Sequence, residues 1–345
     1  MTDRKSQKPE VRVLDTAHPD PVDIAAAVRV LQDGGLVAFP TETVYGLGAR
    51  GLDRSAVAKV FEAKGRPRSH PLILHVLGED EARSLAVGWN ERATRLAQAF
   101  WPGPLTLVVG RAEHVPAEVA GGGESIALRA PVHPIARALI ARLGEPIAAP
   151  SANRYQTISP TTAAHVVKSL GAAVDLVLDG GACIGGIEST VIDVRGPRTR
   201  LLRPGGIDLP TLRAVVGAID VATPSTADAA GDAPRPSPGM DARHYAPRGR
   251  VILATGMNEV ERIAIAHRES GRDVAIVAYS APTPATPPLR VHTLPHDPKG
   301  YERALFTTLH LCDDEGTHVI VVESPPHDDE RWLAVHDRLR RAAST

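Results

Sequence analysis

The chain has 345 residues, 43% hydrophobic side chains and a formal net charge of −1. The near-zero charge excludes a global basic field for a polyanion. An aromatic content of 3% argues against nucleic-acid recognition by rows of stacking rings. This length predicts two domains rather than one.

The two cysteines, Cys183 and Cys312, are far apart in the sequence. They match neither a disulfide framework nor a zinc site, and we interpret both as reduced, buried thiols. The first residues, MTDRKSQKPEVRV, lack the apolar core of a signal peptide. No apolar run approaches the roughly 20 residues that cross a bilayer. We therefore expect a cytoplasmic protein with no membrane contact.

Helical and strand-like patterns alternate from residue 11 onward, after a polar start that we expect to be frayed. Helices are predicted over 23–31, from the cap Asp53 through Ala63 with Gly65 closing it, over 91–100, over 134–143, and after Ser159 as N-cap. Strands are predicted over 36–39, 72–76, 105–109, 126–129, 146–149, 174–178, 190–194 and 199–202. This interleaving defines an α/β domain, placed at 11–221.

Residues 222–249 differ in composition, because their first part is rich in Ala, Pro, Ser, Thr and Asp without apolar periodicity. We interpret them as a linker. Beyond it, strands are predicted over 251–254, 274–278 and 319–322, and helices over 259–270, 301–312 and 329–341. These elements predict a second, smaller α/β domain at 250–345.

The segment Pro40–Gly48, PTETVYGLG, follows the predicted strand 36–39. Two threonine hydroxyls flank a carboxylate, which is typical of a loop that faces a substrate, although a plain connection is a close alternative. Gly46, Gly48 and Gly51 formally fit G-x-G-x-x-G. A dinucleotide fingerprint needs these glycines directly after a strand and at the start of a helix. We interpret them as a tight turn, and a nicotinamide-dependent dehydrogenase as the least favoured function.

Cations are concentrated in the segment 64–71, KGRPRSHP. Lysine and arginine there can bind phosphate oxygens, whereas a solvated basic loop is the ordinary alternative. Arg129 lies in an apolar strand and needs a partner or a ligand. A structural ion pair and a ligand carboxylate are about equally compatible with that position.

Three further loops at strand ends carry hydroxyl groups, glycines or cations. They are PSAN at 150–153, GGIEST at 185–190 and RPGG at 203–206. Ser159 at a predicted helix start suits either an anion site or simple capping. The set predicts binding of a polyanion beside a small polar molecule, with catalysis by proximity and charge stabilisation.

Taken in order, these segments resemble the YrdC-like threonylcarbamoyl-AMP synthases. The motifs that carry the resemblance are PTETVYGLG, KGRP with HPL, WPGPLT, RAPVHP, PSAN, SPTTAAHV, ESTVID and LRPG. Residues 237–247, SPGMDARHYAP, resemble the linker signature of the long, two-domain form. The resemblance covers about 22–247. It implies a twisted, mixed sheet with a large concave cleft, followed by a linker and a smaller Rossmann-like domain.

The resemblance also implies an activity. Members of this family make L-threonylcarbamoyladenylate from L-threonine, bicarbonate and ATP, with release of pyrophosphate. A separate tRNA threonylcarbamoyl transferase complex then modifies tRNA. Magnesium is expected to be held mainly through the phosphates, with no metal site on the protein, and weak tRNA binding is conceivable.

Site residues follow from the same resemblance, position by position. The expected threonine contacts are Thr43 with Thr41 nearby, His75, Arg129, the backbone of Ala149, and Ser189. The expected ATP contacts are Lys64, Arg66, His70, Ser125, Ser151, Asn153, Ser159, Arg203 and Tyr245. Among these, Lys64 and Arg66 are expected to stabilise the charge that develops in the reaction.

This chain departs from the family pattern at three places. Tyr155-Gln156 stands where Ser-Gly is common, His70 where asparagine is common, and Asp241-Ala242 where a lysine-aromatic pair is usual. Two alternatives remain: a carbamoyl-adenylate-forming paralogue with another acceptor, and a non-catalytic RNA-binding module.

Overall fold

The computed structural model describes residues 8–222, 241, 243–280 and 289–344. These fall into two compact units. The first contains residues 8–155, 159–184 and 188–222; the second contains 156–158, 185–187 and the described residues from 241 onward. Most of the predicted linker lies outside the described residues, and the domain boundaries drawn from the sequence stay predictions.

Seven helices occur in the described part of the first unit. They are α1 (Pro21–Gln32), α2 (Arg54–Lys64), α3 (Glu79–Leu85), α4 (Glu91–Phe100), α5 (Pro134–Leu143), α6 (Ala163–Leu170) and α7 (Leu209–Val216). The predicted caps of α2 are confirmed. Asp53 accepts hydrogen bonds from Ser55 N and Ala56 N, and Gly65 ends the helix with a φ of 64°.

Twelve strands of the described first unit form one twisted, mixed sheet. They are β1 (Glu10–Val13), β2 (Val37–Phe39), β3 (Gly46–Arg50), β4 (Ile73–His75), β5 (Ala86–Val87), β6 (Leu105–Arg111), β7 (Ser125–Arg129), β8 (Ile147–Ala148), β9 (Leu176–Asp179), β10 (Thr190–Asp193), β11 (Thr199–Arg203) and β12 (Ile219–Val221). Their order is β1-β9-β2-β3-β8-β4-β7-β6-β10-β11-β12, and β5 pairs with β6. The predicted fold class is confirmed.

Gly46 and Gly48 are not part of a tight turn, so that prediction was wrong for them, whereas Gly51 lies in the turn that follows β3. Gly46 and Gly48 lie in β3, which pairs antiparallel with β2 and β8. A Cβ on Gly48 would stand 2.7 Å from the Phe39 ring. The glycines are therefore required by close packing between strands, and not by a nucleotide phosphate.

Two further sequence predictions need correction. The segment after residue 10 is strand β1, which pairs parallel with β9 through residues far away in the sequence. Ser159 is not a helix cap: α6 begins at Ala163, and the Thr162 hydroxyl accepts from His165 N. The backbone carbonyl of Pro160 instead accepts from Tyr45 N at 2.9 Å, so the segment before Thr162 is tied to another loop.

The core that supports the site lies between α1, α5 and the β1–β9–β2 edge of the sheet. Its buried members include Leu31, Phe39, Leu139, Ile147 and Leu178. Burial of each such side chain stabilises the fold by roughly 1.5–3 kcal/mol relative to exposure. The strand ends that carry the polar loops are therefore anchored in a packed layer.

The second unit is a parallel four-stranded sheet with helices. Its elements are β13 (Arg250–Ala254), α8 (Met257–Glu269), β14 (Val274–Ala278), β15 (Arg290–Thr293), α9 (Pro298–Asp314), β16 (Val319–Glu323) and α10 (Leu333–Ala343). The strand order is β13-β16-β14-β15. The sequence missed β15, a half-exposed strand without a clear alternating pattern. Within the ranges described above, none of the helices has the length and apolar character needed to cross a bilayer.

Candidate active site

A chain of buried hydroxyl groups occupies the loop between β2 and β3. The Thr41 hydroxyl donates to Val44 O at 2.7 Å, so the Thr43 hydroxyl, 2.8 Å away, donates to Thr41 Oγ1. The Thr43 oxygen in turn accepts from Arg129 Nη1 at 2.9 Å. Each hydroxyl is polarised by the next group, which fixes the loop in one arrangement.

Arg129 ends β7 and is almost completely buried, with 4% of its surface exposed. Its Nη2 lies 2.7 Å from Glu42 Oε1, and its Nε donates a long hydrogen bond to Gly103 O. The parallel pairing of β4 and β7 aligns His75 with Arg129. We call Thr41, Glu42, Thr43, His75 and Arg129 the arginine cluster.

His75 in this cluster is a neutral imidazole at ordinary pH. Burial, followed by repulsion from Arg129, lowers its pKa to about 3. Its Nδ1 is buried and has no hydrogen-bond partner among the described residues. The ring therefore adds a polar atom to the cluster without adding charge.

A second group of buried polar residues surrounds Lys64 at the end of α2. Lys64 Nζ donates to the backbone carbonyls of Ser151 and Asn153, each at 2.5 Å. Burial and repulsion from Arg66 hold the pKa of Lys64 well below its ordinary value, and Glu188 partly opposes this. We call Lys64, Arg66, Ser151, Asn153 and Glu188 the lysine cluster.

The basic loop that follows Lys64 is solvated only in part, because Arg66 and His70 are buried in it while Pro67 and Arg68 are exposed. Arg66 is 7% exposed and donates to Pro71 O at 3.1 Å, and His70 is 5% exposed. The His70 ring meets the Tyr155 ring edge-on at 5.6 Å. Arg68 is exposed. Two of the three cations in this segment, Lys64 and Arg66, are thus buried.

Ser189 directly precedes β10, Arg203 ends β11, and Ser159 lies in the connection between β8 and α6. Arg203 donates to Ser189 O at 3.0 Å and to Ser189 Oγ at 3.2 Å. The Ser189 hydroxyl is also 2.7 Å from Thr106 Oγ1. Ser159 donates to the carboxylate of Glu188. Hydrogen bonds therefore join pairs of predicted residues that are distant in sequence.

Three predicted residues stand apart from these contacts. Ser125 begins β7 and Arg129 ends it, which places their Cα atoms about 13 Å apart. Ala149 lies beside β4, and its backbone N–H donates to Ile73 O. Tyr245 belongs to the second unit, where it stacks on Phe306 at 5.4 Å. The assigned role of each stays a prediction.

Sequence reasoning assigned no role to Glu42 or Glu188, although both stand in motifs that it singled out. Glu42 contacts Arg129, and Glu188 accepts from Ser159 and influences Lys64. The available signal was a carboxylate next to hydroxyl residues in each motif, TET and EST. A carboxylate so close to a buried cation is an electrostatic partner of that cation.

Both cysteines are free and buried, as predicted. Burial is the largest cause that raises the pKa of each thiol to about 12. Cys312 lies near His292 and Glu315, and this trio has donor atoms close enough for a metal ion. However, Arg290 Nη1 donates to Glu315 at 2.8 Å, so that carboxylate is already paired with a guanidinium group. The trio is explained as a cluster of ion pairs around a thiol.

The fold and these two clusters define an α/β protein whose first unit buries two groups of polar and charged side chains. A family model for Sua5, YciO and YrdC proteins, described as "telomere recombination", matches residues 29–205. A second, described as "threonylcarbamoyl-AMP synthase, C-terminal domain", matches residues 207–344. The chain therefore belongs to the threonylcarbamoyl-AMP synthase family, in its long two-domain form.

Full-length relatives agree with this assignment. The chain is 40% identical to the threonylcarbamoyl-AMP synthase of Pyrococcus abyssi, over 93% of this chain and 94% of that protein. It is 36% identical to the Bacillus subtilis protein of the same name, over 98% of both. The structure of P. abyssi Sua5 complexed with L-threonine matches with a TM-score of 0.88 at 38% identity, covering 96% of this chain and 97% of that one.

Proposed function

We propose that this chain synthesises L-threonylcarbamoyladenylate from L-threonine, bicarbonate and ATP and releases pyrophosphate. Relatives that match nearly the whole chain carry this enzyme's name, and one related structure was solved with L-threonine. The observation that carries the proposal is the pairing of two differently built clusters in one unit. One is a buried guanidinium beside hydroxyls, and the other is a buried lysine beside an arginine.

The arginine cluster binds L-threonine in this proposal. Arg129 donates hydrogen bonds to the α-carboxylate of the substrate, because a planar guanidinium matches a carboxylate in geometry and charge. Thr43 is already oriented by Arg129. His75 presents a neutral ring, so it does not compete with Arg129 for the substrate anion. Ala149 and Ser189 complete the threonine contacts predicted from the sequence.

The lysine cluster binds the phosphates of ATP. The amine of threonine attacks carbon dioxide derived from bicarbonate, and an oxygen of the resulting carbamate attacks the α-phosphate. Negative charge increases on the leaving pyrophosphate, where Lys64 and Arg66 stabilise it. Lys64 is buried and its protonated form is disfavoured before ATP arrives. Phosphate binding restores that proton, so the lysine is most strongly charged when the reaction requires it.

Magnesium enters this scheme with ATP. Glu188 is the carboxylate of the lysine cluster. It accepts a hydrogen bond from Ser159, and we therefore do not assign it as a metal ligand. The residues present therefore fit an ion held through phosphate oxygens and water. Such an ion would supply positive charge to the phosphates beside Lys64 and Arg66. The product is passed to a tRNA threonylcarbamoyl transferase complex, and the cytoplasm is the expected compartment.

The test measures pyrophosphate release from ATP with magnesium while threonine and bicarbonate are omitted in turn. We expect release only when both are present, with ¹⁴C from bicarbonate recovered in an adenylate of the expected mass. Release without threonine would point to the paralogue with another acceptor. Binding of tRNA without any ATP turnover would favour the RNA-binding module, whose affinity would fall steeply with salt.

A further inference from the structure

The carboxylate of Glu42 stands at the centre of the arginine cluster without an assigned role. Its Oε1 lies 2.7 Å from Arg129 Nη2, and its Oε2 accepts a long hydrogen bond of 3.3 Å from Val132 N. The side chain is 12% exposed, and Thr41 and Thr43 on either side of it are buried. Glu42 is therefore fixed beside the cation that receives the substrate carboxylate.

The contact between Glu42 and Arg129 is close but poorly directed. Both Oε1 and Nη2 are buried, yet neither makes a hydrogen bond of acceptable geometry. A buried ion pair is well compensated only when directed hydrogen bonds satisfy both ions. The remaining hydrogen-bonding capacity of Oε1 is thus available to a donor that arrives with the ligand.

We propose that Glu42 accepts a hydrogen bond from the α-ammonium group of threonine and then takes a proton from it before the carbamate forms. This proposal rests on the proposed function. An amino acid carries its ammonium nitrogen about 3 Å from its carboxylate oxygens. A substrate whose carboxylate pairs with Arg129 therefore places its ammonium within reach of Glu42 Oε1.

Charge balance supports the same arrangement. Threonine binds as a zwitterion, and Arg129 with Glu42 forms a pair of matching opposite charges. Burying the ammonium without an anion would carry a large desolvation cost. His75 is uncharged there, and burial disfavours the charged forms of His133 and Cys183, the other titratable groups that interact with Glu42. Among the members of the arginine cluster, Glu42 alone supplies negative charge.

The proton transfer balances as follows. The ammonium N–H bond breaks, its proton moves to the Glu42 carboxylate, and the neutral amine keeps the electron pair. The protonated Glu42 then donates to the hydroxyl of bicarbonate, which leaves as water and gives carbon dioxide. The amine attacks that carbon, forming the N–C bond of the carbamate, and the second N–H proton passes to Glu42 and then to water. No oxidant or additional co-reactant is needed.

Calorimetry with two ligands tests the binding role in the absence of ATP. One ligand is L-threonine, and the other is the 2,3-dihydroxybutanoate in which a hydroxyl replaces the ammonium. We expect Glu42→Gln to weaken L-threonine ten- to hundredfold and to change the affinity for the hydroxy acid less than threefold. The matched control is Glu145→Gln, which breaks another arginine–glutamate pair, that with Arg50, in the same unit. It should leave both ligands unchanged.

Two results would overturn the proposal. An equal loss for both ligands would mean that Glu42 only positions Arg129. Tighter binding of either ligand would mean that Glu42 competes with the substrate carboxylate. Glu42→Asp should keep the preference for threonine over the hydroxy acid, and ATP binding to each variant reports that it is folded.

A pH profile tests the proton transfer. In Glu42→Gln, threonine-dependent pyrophosphate release should rise steadily toward the pKa of the free amine, whereas the wild type should level off at lower pH. Identical profiles would overturn the proton role. Failure of the proposed function is distinguishable, because it would appear as absent threonine-dependent release in the wild type.

Discussion

The arginine and lysine clusters bury cations in one unit but compensate them differently. Arg129 has a carboxylate and a hydroxyl as partners, so its charge is balanced before any ligand binds. Lys64 contacts two carbonyl oxygens, which carry only partial negative charge. Burial and the nearby Arg66 then lower the pKa of Lys64. The difference shows which ligand each cluster suits: a zwitterion leaves a balanced pair balanced, whereas a polyanion relieves a cluster that disfavours its own charge.

The largest expected effect comes from removing the Lys64 charge. Lys64→Met should lower kcat/KM for pyrophosphate release about 10³-fold, since a buried electrostatic contact to the leaving group is lost. The same substitution should leave Tm close to the wild-type value, because relief of the disfavoured charge is offset by two backbone carbonyls that lose their donor. A large loss of activity with little change in stability would identify Lys64 as a residue that serves the ligand and not the fold.

Lys59→Met is the matched control for this prediction. Lys59 lies on the same helix but is exposed and donates to Gly34 O. It should change activity less than twofold. A folded Lys64→Met protein with more than a tenth of the wild-type kcat/KM would contradict the assignment of the lysine cluster to phosphate.

Because His75 is neutral in the folded protein, the free energy of unfolding should depend on pH in the acid range. His75 has a folded-state pKa of about 3, below its ordinary value of 6.5. Between these values the unfolded chain binds a proton that the folded chain does not, so stability is complete above pH 6.5 and decreases as pH falls toward 3. A shift from 6.5 to about 3 corresponds to a loss on the order of 5 kcal/mol across that range.

Urea denaturation at a series of pH values measures this contribution. His75→Gln should flatten the slope relative to wild type, whereas His114→Gln, at an exposed position, should not. Equal slopes for wild type and His75→Gln would show that the imidazole becomes protonated inside the fold, and the charge balance argued for the arginine cluster would then fail.

A conservative change at Arg129 should weaken the binding of L-threonine and leave the binding of ATP almost unchanged. Arg129→Lys keeps the charge but loses the planar fork that contacts Thr43 and Glu42. Affinity for L-threonine should fall roughly ten- to hundredfold, and ATP affinity should stay within about threefold of wild type. Calorimetry with L-threonine alone and with ATP alone measures the two affinities. Arg50→Lys, at the pair with Glu145, serves as control. Equal losses for both ligands would remove the distinction between the clusters.

Local sequence signals predicted most of the helices and the central strands. The caps Asp53 and Gly65 and the helices 91–100 and 134–143 were found because their signals lie within one or two turns. The strands β1 and β3 were missed because their stability depends on pairing with residues distant in sequence. Glycine at 46 and 48 suggested a turn, while packing on Phe39 was the actual reason.

The residues of the candidate site were recognised by resemblance, but their electrostatics required the fold. Nothing local shows that Glu42 meets Arg129 or that Lys64 meets the carbonyls of the loop at 151–153. These contacts join the β2–β3 loop to the end of β7, and the end of α2 to the loop that follows β8. The altered pKa values of Lys64 and His75 arise from burial, which is a property of the assembled layers and not of a motif.

The smallest predicted effect concerns the loop that leads from the lysine cluster to Gln156. The resemblance singled out Tyr155-Gln156 where Ser-Gly is common, and the left-handed backbone lies at Gln156, the position of that glycine, with a φ of 66°. Gln156→Gly should therefore raise the free energy of unfolding by up to about 1 kcal/mol, after allowing for the extra freedom of glycine in the unfolded chain. Tyr155→Gly should lower it, because Tyr155 is not among the residues with positive φ and its ring contacts His70. Urea denaturation of the two variants should give opposite signs; the same sign would show that the loop at 154–156 rearranges. Because Tyr155 N donates to Lys64 O, such a rearrangement would also disturb the lysine cluster and leave the arginine cluster unchanged.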